Sequence, residues 1–350
     1  MGHERCWIVE DGRLRPCPEP SREFASLVCL HTHSCHSKED LAGLNWVVRL
    51  GYMRPFKGLL QRSFGLAGIP DLDYRDLGYR PPFRPGDIWS MEAENARRLG
   101  VDHLLLAVTD HDEVAGSLEL RRQDPARAER IALGEELSIR YDGHVFHLGL
   151  SGLPEEGLLD AHASLQASAR AGRLDAVFEQ LASLGGLVVL NHPLIAWNRV
   201  KSEVPALGLL ERYAWAVDAL ELNGMRSWEE NQRVVELARH VGKPLVGGGD
   251  SHLLMPSGAL CASRASTYAD FVAEVRSGWS RPLVTRAYFR PLRWKMTLRV
   301  LSFIAQYRQI AEFRGKPICA ILDGRWVLLD PVSTVADLAL RLSDRLGCSA

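Results

Sequence analysis

The feature that most constrains the fold of this chain is a repeated pairing. A short apolar run is followed at once by histidine or a carboxylate. Leu27-Val28-Cys29-Leu30 leads into His31-Thr32-His33, and the run from His103 to Thr109 leads into Asp110-His111-Asp112. The run from Arg130 to Leu137 carries Glu135-Glu136 near its end, and Val145-Phe146 precedes His147. Leu187 to Leu190 precedes Asn191-His192-Pro193, Asp218 to Leu222 ends at Asn223, and Pro244 to Gly249 runs into Asp250-Ser251-His252. Helical patterns separate several of these runs: Ile88 to Leu99 before Gly100, Leu174 to Leu184 before Gly185, Glu229 to Val241 before Gly242, and Tyr268 to Arg276. A strand is also expected at Pro282 to Tyr288. Near-continuous apolar strands alternating with helices predict a parallel sheet covered on both faces, or a closed barrel. In such a barrel the strand ends converge on one mouth, where active sites form.

The chemistry follows from what is gathered there. Buried imidazoles and carboxylates are costly unless they are paired or bind metal. His31 and His33 lie at i and i+2 of an extended segment, so their rings face the same side. That pair alone is weak evidence, because 12 histidines in 350 residues give roughly 0.4 His-x-His by chance. The coincidence of seven polar strand ends is what counts. Histidines with bridging carboxylates suit two or three divalent ions (Zn, Mn or Fe). Two such ions lower the pKa of a bound water, orient an ester and stabilise the attacking and leaving oxygens. A Gly-x-Ser-x-Gly elbow, a P-loop and a Gly-x-Gly-x-x-Gly fingerprint are all absent, and Gly247-Gly248-Gly249 reads as close backbone approach beside a crowded site. Asp142-Gly143-His144 and Asp160-Ala161-His162 are assigned no role.

At these residues the chain resembles the PHP (polymerase and histidinol phosphatase) family. The matching motifs are His31-Thr-His33, Thr109-Asp-His-Asp112, Glu136-Leu-Ser138, His147, Asn191-His-Pro193 and Gly249-Asp-Ser-His252, in the family's order. The resemblance implies a distorted (β/α)7 TIM-like barrel over residues 27–290 and phosphoester hydrolysis by a metal-bound hydroxide. It also implies ligand sets: His31, His33, Glu136 and Asp250 for one ion, Glu136, His147 and His192 for a second, His111 and His252 for a third. His252 or Asp112 would protonate the leaving alcohol. The family often continues into Ser-Asp-Gly, whose Asp serves the third ion, whereas this chain reads Ser37-Lys38-Glu39-Asp40. Lysine at the aligned position leaves three alternatives. His36, Glu39 or Asp40 substitutes, only two ions bind, or Lys38 contacts a substrate phosphate.

The remaining segments are read more simply. Residues 1–26 form an N-terminal extension with a small hairpin around Asp11-Gly12. Residues 39–86, with seven basic residues and scattered aromatics, form an insert over the mouth, with short helices near 41–50 and 55–63. Residues 291–350 are expected as an appended α/β unit: a helix over 293–314, a hairpin around Asp323-Gly324 and a last helix after Ser333-Thr334. Residues 281–350 hold 12 Arg/Lys against 5 Asp/Glu, so a net of +7 there leaves −8 in residues 1–280 of a chain whose total is −1. That balance recruits neither membrane nor nucleic acid globally. The substrate is expected to be a phosphorylated small molecule or nucleotide, with nucleic acid admitted only as substrate. Arg226, Arg199 and Lys201 are candidate phosphate contacts, although with 36 Arg in the chain proximity to a strand end is thin evidence. Seven cysteines without a Cys-x-x-Cys pair, no signal-like N-terminus and no long apolar run point to the cytoplasm. An amidohydrolase-like metal hydrolase, or a degenerate barrel used for binding, is the alternative.

Overall fold

The computed structural model describes residues 5–40, 77–81, 83–194, 203–252, 256–291, 295, 318–322 and 325–329. Arg199 and Lys201 lie outside the described residues, as do the helices expected within 41–76, the helix over 293–314 apart from Lys295, the Asp323-Gly324 turn and the last helix.

The apolar runs become strands. They are β1 (Cys6–Glu10), β2 (Arg13–Cys17), β3 (Ser26–Cys29), β4 (Glu39–Asp40), β5 (Leu77–Tyr79), β6 (Leu104–Ala107), β7 (Ile131–Ala132) and β8 (Gly134–Tyr141). After them come β9 (His144–Ser151), β10 (Leu187–Asn191), β11 (Ala219–Asn223), β12 (Leu245–Gly248), β13 (Ala259–Ser263), β14 (Arg281–Thr285), β15 (Ile318–Leu322) and β16 (Arg325–Leu329). The helices are α1 (Pro85–Arg98), α2 (Ala115–Gln123), α3 (Glu155–Arg170), α4 (Leu174–Leu184), α5 (Glu203–Tyr213), α6 (Trp228–Val241) and α7 (Tyr268–Arg276). Their ends are chemically marked. Ser227 and Glu230 form a reciprocal capping box at the start of α6, and Gly242 closes that helix at φ 67°. Thr267 accepts a hydrogen bond from Asp270 N at the start of α7.

The strands form two large sheets rather than one closed ladder. The first runs β2-β1-β14-β13-β3-β6-β7, the second β12-β11-β10-β9-β8. The expected all-parallel barrel is corrected on two counts. Only β3/β6, β6/β7, β10/β11 and β11/β12 pair parallel within these sheets, whereas β8/β9, β9/β10, β13/β3, β13/β14 and β1/β14 are antiparallel. The hairpin β8–β9 turns at Asp142-Gly143, whose φ values of 49° and 73° suit a tight hairpin. Among the described residues the two sheets share a packed core and are joined in backbone pairing by isolated parallel bridges, Thr32 to Ser251 and His111 to Glu136. Beside those bridges Asp112 (φ 52°), His192 (φ 30°) and Asp250 (φ 50°) leave the extended region, and a residue at positive φ cannot continue a strand ladder. The strand pairing is thus interrupted where the polar residues cluster.

A third sheet, β16-β15-β5-β4, joins the C-terminal hairpin to the insert: Ile321 pairs with Gly78, and Gly78 with Asp40. The apolar core gathers Leu137, Leu148, Phe178, Leu190 and Leu220 in one cluster and Val28, Leu105, Val189, Val246 and Phe271 in another.

Candidate metal centre

Glu136 is the hub. It sits early on β8, 1% exposed, and its neighbour Glu135 points to the opposite face, where it meets His162 and Gln166 on α3. Five imidazoles face the Glu136 carboxylate. Oε2 lies 3.1 Å from His31 Nε2, 3.4 Å from His33 Nε2 and 3.2 Å from His111 Nδ1. Oε1 lies 3.2 Å from His147 Nδ1 and 3.3 Å from His192 Nε2. Asp250 stands across from it, its Oδ1 at 3.9 Å from both His31 Nε2 and His33 Nε2 and 2.9 Å from His252 Nε2. All eight residues anticipated as metal ligands therefore meet in one place, brought there from six separate strands, although His147 lies within β9 and Glu136 near the start of β8 rather than past a strand end.

Glu39 completes the cluster. It is buried, with Oε2 at 3.2 Å from His252 Nδ1 and 3.5 Å from His111 Nε2, and Oε1 at 3.5 Å from His33 Nδ1. Ser37 Oγ donates to Glu39 Oε1 and itself accepts from His111 N. Lys38 is exposed. The carboxylate on the His111 and His252 side thus comes from Glu39, one of the three substitutes considered, and not from the aligned position 38.

Among the described residues, four groups have donor atoms all within 4.8 Å of one another inside each group: His31/Glu136/His192, His31/His33/Asp250, His33/Glu39/His111 and His111/Glu136/His147. The grouping differs from the expected ligand sets. His192 falls in with His31, and His147 with His111. The donor set passes a direct test of fitness for metal. His31 Nε2, His33 Nε2 and Glu136 Oε2 are buried with no hydrogen-bond partner although they face one another, an arrangement that is costly in an apolar interior and relieved by a shared cation. The electrostatics agree. Burial alone would raise the carboxyls of Glu136 and Asp250, but surrounding histidines (His31, His111 and His147 for the former, His252 and His31 for the latter) hold both well below the usual range. Glu39 is lowered in the same way by His252, His111 and His33. His33 is pushed well below its ordinary value by burial and by neighbouring His252, which keeps its ring neutral and a good ligand. His252 is desolvated yet held up at about 10 by Glu39 and Asp250.

A surrounding layer orients these groups. Glu221 Oε1 lies 2.7 Å from His31 Nδ1, and its Oε2 accepts from His192 N and Asn223 Nδ2. Asn191 Nδ2 donates to Glu136 Oε1, and Asn223 Nδ2 to Asp250 Oδ2. Asp112, offered above as an acid, accepts from Ser138 N at 2.8 Å and stands close enough to His147 to raise its pKa. Asp110 is fully buried, accepts from Ser34 N and Ser34 Oγ, and is raised by that burial to about 7. Arg226 is half-buried three residues beyond Asn223, and its Nε is buried with no hydrogen-bond partner. Sequence reasoning did not assign the supporting roles of Glu221, Asn191 and Asn223. Their position at the ends of β10 and β11 was the available signal.

No family model and no curated protein matches this chain. Solved structures are similar at low identity. An amidohydrolase from Chromobacterium violaceum with bound sulfate matches at 17% identity over 50% of this chain and 84% of its own, with a TM-score of 0.38. A candidate metal-dependent phosphoesterase from Bifidobacterium adolescentis matches at 19% over 56% and 91%, with a TM-score of 0.37. PsfC from Pseudomonas syringae matches at 20% over 63% and 88%, with a TM-score of 0.40. At scores this low the likenesses leave the function to be argued from the site.

Proposed function

We propose that the chain is a metal-dependent phosphoesterase with a PHP-type, barrel-like catalytic unit over residues 27–290. The observation that carries this reading is the buried Glu136 carboxylate facing five imidazoles, with two further carboxylates, Glu39 and Asp250, closing the cluster. The donors fall into overlapping sets, His31/His33/Asp250, His31/Glu136/His192, His111/Glu136/His147 and His33/Glu39/His111, which would hold two or three divalent ions with Glu136 shared, and His252 stands beside Glu39 and Asp250 as a further donor. Such ions, when bound, activate water and neutralise charge on a phosphate ester. The chain's own residues do the rest. Glu221 fixes the ring of His31, and Asn223 holds Asp250 in place. His252, between Glu39 and Asp250, can release a proton toward a leaving alcohol only when it holds no ion, and Asp112 is the other candidate acid. Arg226, whose Nε lacks a partner, suits a substrate phosphate oxygen.

Glu39 supplies a carboxylate beside His111 and His252 next to the lysine at position 38, which favours a working metal site over a degenerate barrel used for binding. No helix among the described residues is long and apolar enough to cross a membrane. A cytoplasmic location is part of the same proposal and rests on the cysteine usage of the sequence. The test is phosphate release from phosphomonoesters, nucleotides and short oligonucleotides. The protein is loaded separately with Mn, Zn or Fe and run beside Asp250→Asn. Metal-dependent release that Asp250→Asn loses supports the assignment. Protein that holds its ions but releases phosphate from no ester, or cleaves amides instead, refutes it.

A further inference from the structure

Away from the cluster, one buried carboxylate has no basic partner among the described residues. Glu92 lies on α1, 1% exposed, on a buried face shared with Ile88, Trp89, Asn95 and Ala96. Its carboxyl is raised by burial. An apolar side chain would pack there at less cost than a carboxylate without a cation. Its bonds show what it holds. Oε1 accepts from both Ser257 N (2.9 Å) and Ser257 Oγ (2.8 Å). Oε2 accepts from Asn95 Nδ2, one turn along α1, and the same amide donates to Ser257 O. Ser257 Oγ also lies 3.4 Å from Cys29 Sγ on β3, two residues before His31.

Ser257 in turn backs onto Gly249. A Cβ at Gly249 would stand 2.2 Å from Ser257 Oγ and 2.7 Å from Ser257 Cβ. The chain therefore leaves β12 at Gly249, presents Asp250 and His252 to the cluster, and returns at Ser257 against its own starting point. On its other side this excursion is tied to the first strand, where His33 N donates to Ser251 O at 2.9 Å. Glu92 is the tie at its base.

We propose that Glu92 is a positioning residue for Asp250 and His252, acting through Ser257 and Gly249. The inference rests on the reading that those two side chains hold metal ions. Losing Glu92 frees Ser257 from α1, and the base of the excursion widens. Partners of this indirect kind typically change metal affinity 10–100-fold.

The experiment titrates the full-length, metal-stripped protein with Mn2+ by calorimetry, alongside thermal unfolding of the same samples, for Glu92→Ala, Glu92→Gln and Ser257→Ala. The expected result for Glu92→Ala is a 10–100-fold weaker Mn2+ affinity in protein that is still folded, with kcat reduced more than KM is raised. Glu92→Gln keeps an oxygen acceptor for Ser257 N and recovers most of the affinity. A Glu92→Ala protein that loses thermal stability but binds Mn2+ with wild-type affinity and stoichiometry overturns the inference, because support of the fold alone would give that pattern. If Glu92→Ala does not fold, Ser257→Ala decides in its place: several-fold weaker binding upholds the inference and unchanged binding overturns it. A wild-type protein that takes up no Mn2+ at all removes the metal-centre reading itself, a result distinct from variants that bind as wild type does.

Discussion

Gly248→Ala concentrates the logic of the site in one methyl group. Gly248 lies on β12, opposite Asn223, at an ordinary φ, so the backbone itself accepts alanine. The added Cβ would stand 1.8 Å from Glu221 Oε1 and 2.7 Å from its Cδ, whereas ordinary contact begins at 3.4 Å. The carboxylate must therefore retreat by about 1.6 Å, the difference of those two distances, and a misplacement of about 1 Å near a reacting centre costs on the order of 100-fold in rate. Glu221 is not free to move, because His31 Nδ1 (2.7 Å), His192 N (2.8 Å) and Asn223 Nδ2 (3.0 Å) all contact it. Strain from overpacking costs about 1–3 kcal/mol of stability. Loss of the His31 contact weakens metal binding roughly 10–100-fold. The assay is Mn2+ titration of stripped protein with the melting temperature of each form. Gly143→Ala is the control: it too meets strain, at φ +73°, but nothing lies within 4 Å of its Cβ and it is far along the β8–β9 turn. The control is expected to lose about 1–2 kcal/mol of stability with metal affinity unchanged. A Gly248→Ala protein with wild-type affinity would show that Glu221 does not orient His31.

Further outcomes follow from the same geometry. Asp250→Asn abolishes metal-dependent phosphate release while the far-ultraviolet circular dichroism spectrum stays that of the wild type. Glu39→Gln lowers the number of ions bound per chain, measured by elemental analysis, whereas the exposed Lys38→Ala stays within about 0.5 kcal/mol in stability and binds the full complement. Chelation lowers the melting temperature, since an ion at a hundredfold its Kd contributes about 2.7 kcal/mol, and readdition restores it. For pH, the Asp110 carboxyl is raised by burial to about 7 from an ordinary 3.8. Its contribution to stability is then fully present below about pH 3.8 and is lost as the pH rises toward 7, because the folded state resists ionising it. Urea midpoints of stripped wild type and Asp110→Asn are expected to converge or cross over that window, and a constant offset between them would refute the assignment.

The parts of the fold that the sequence revealed are those with strong local signals. The bounds of α4 and α7 match the apolar periodicity closely, and β3, β6, β9 and β10 sit within a residue or so of the runs that suggested them. Helix α3 went unread because its buried face is Leu158, Ala161, Leu165 and Ala169 mixed with buried Gln166 and Ser168, a weak apolar stripe. Helices α2 and α5 and the short strand β13 were missed as well. The antiparallel pairing of β8 with β9 had a signal in Asp142-Gly143, a hairpin turn pair that was weighed only as part of Asp-x-His.

For the site, the sequence by itself determined which donors are available and in what order along the chain. Metal chemistry needs histidine and carboxylate, and a strand end is the place where such a residue can be buried and still face a mouth. Only the tertiary structure decided which of them meet. Glu39 rather than Lys38 faces His111 and His252 because the short strand β4 turns that residue inward. His192 groups with His31 and His147 with His111 across the gap between two sheets. Glu221 reaches His31 over 190 residues of chain. Contacts of that kind are set by how sheets twist and abut, and spacing along the sequence carries no record of a distance across a fold.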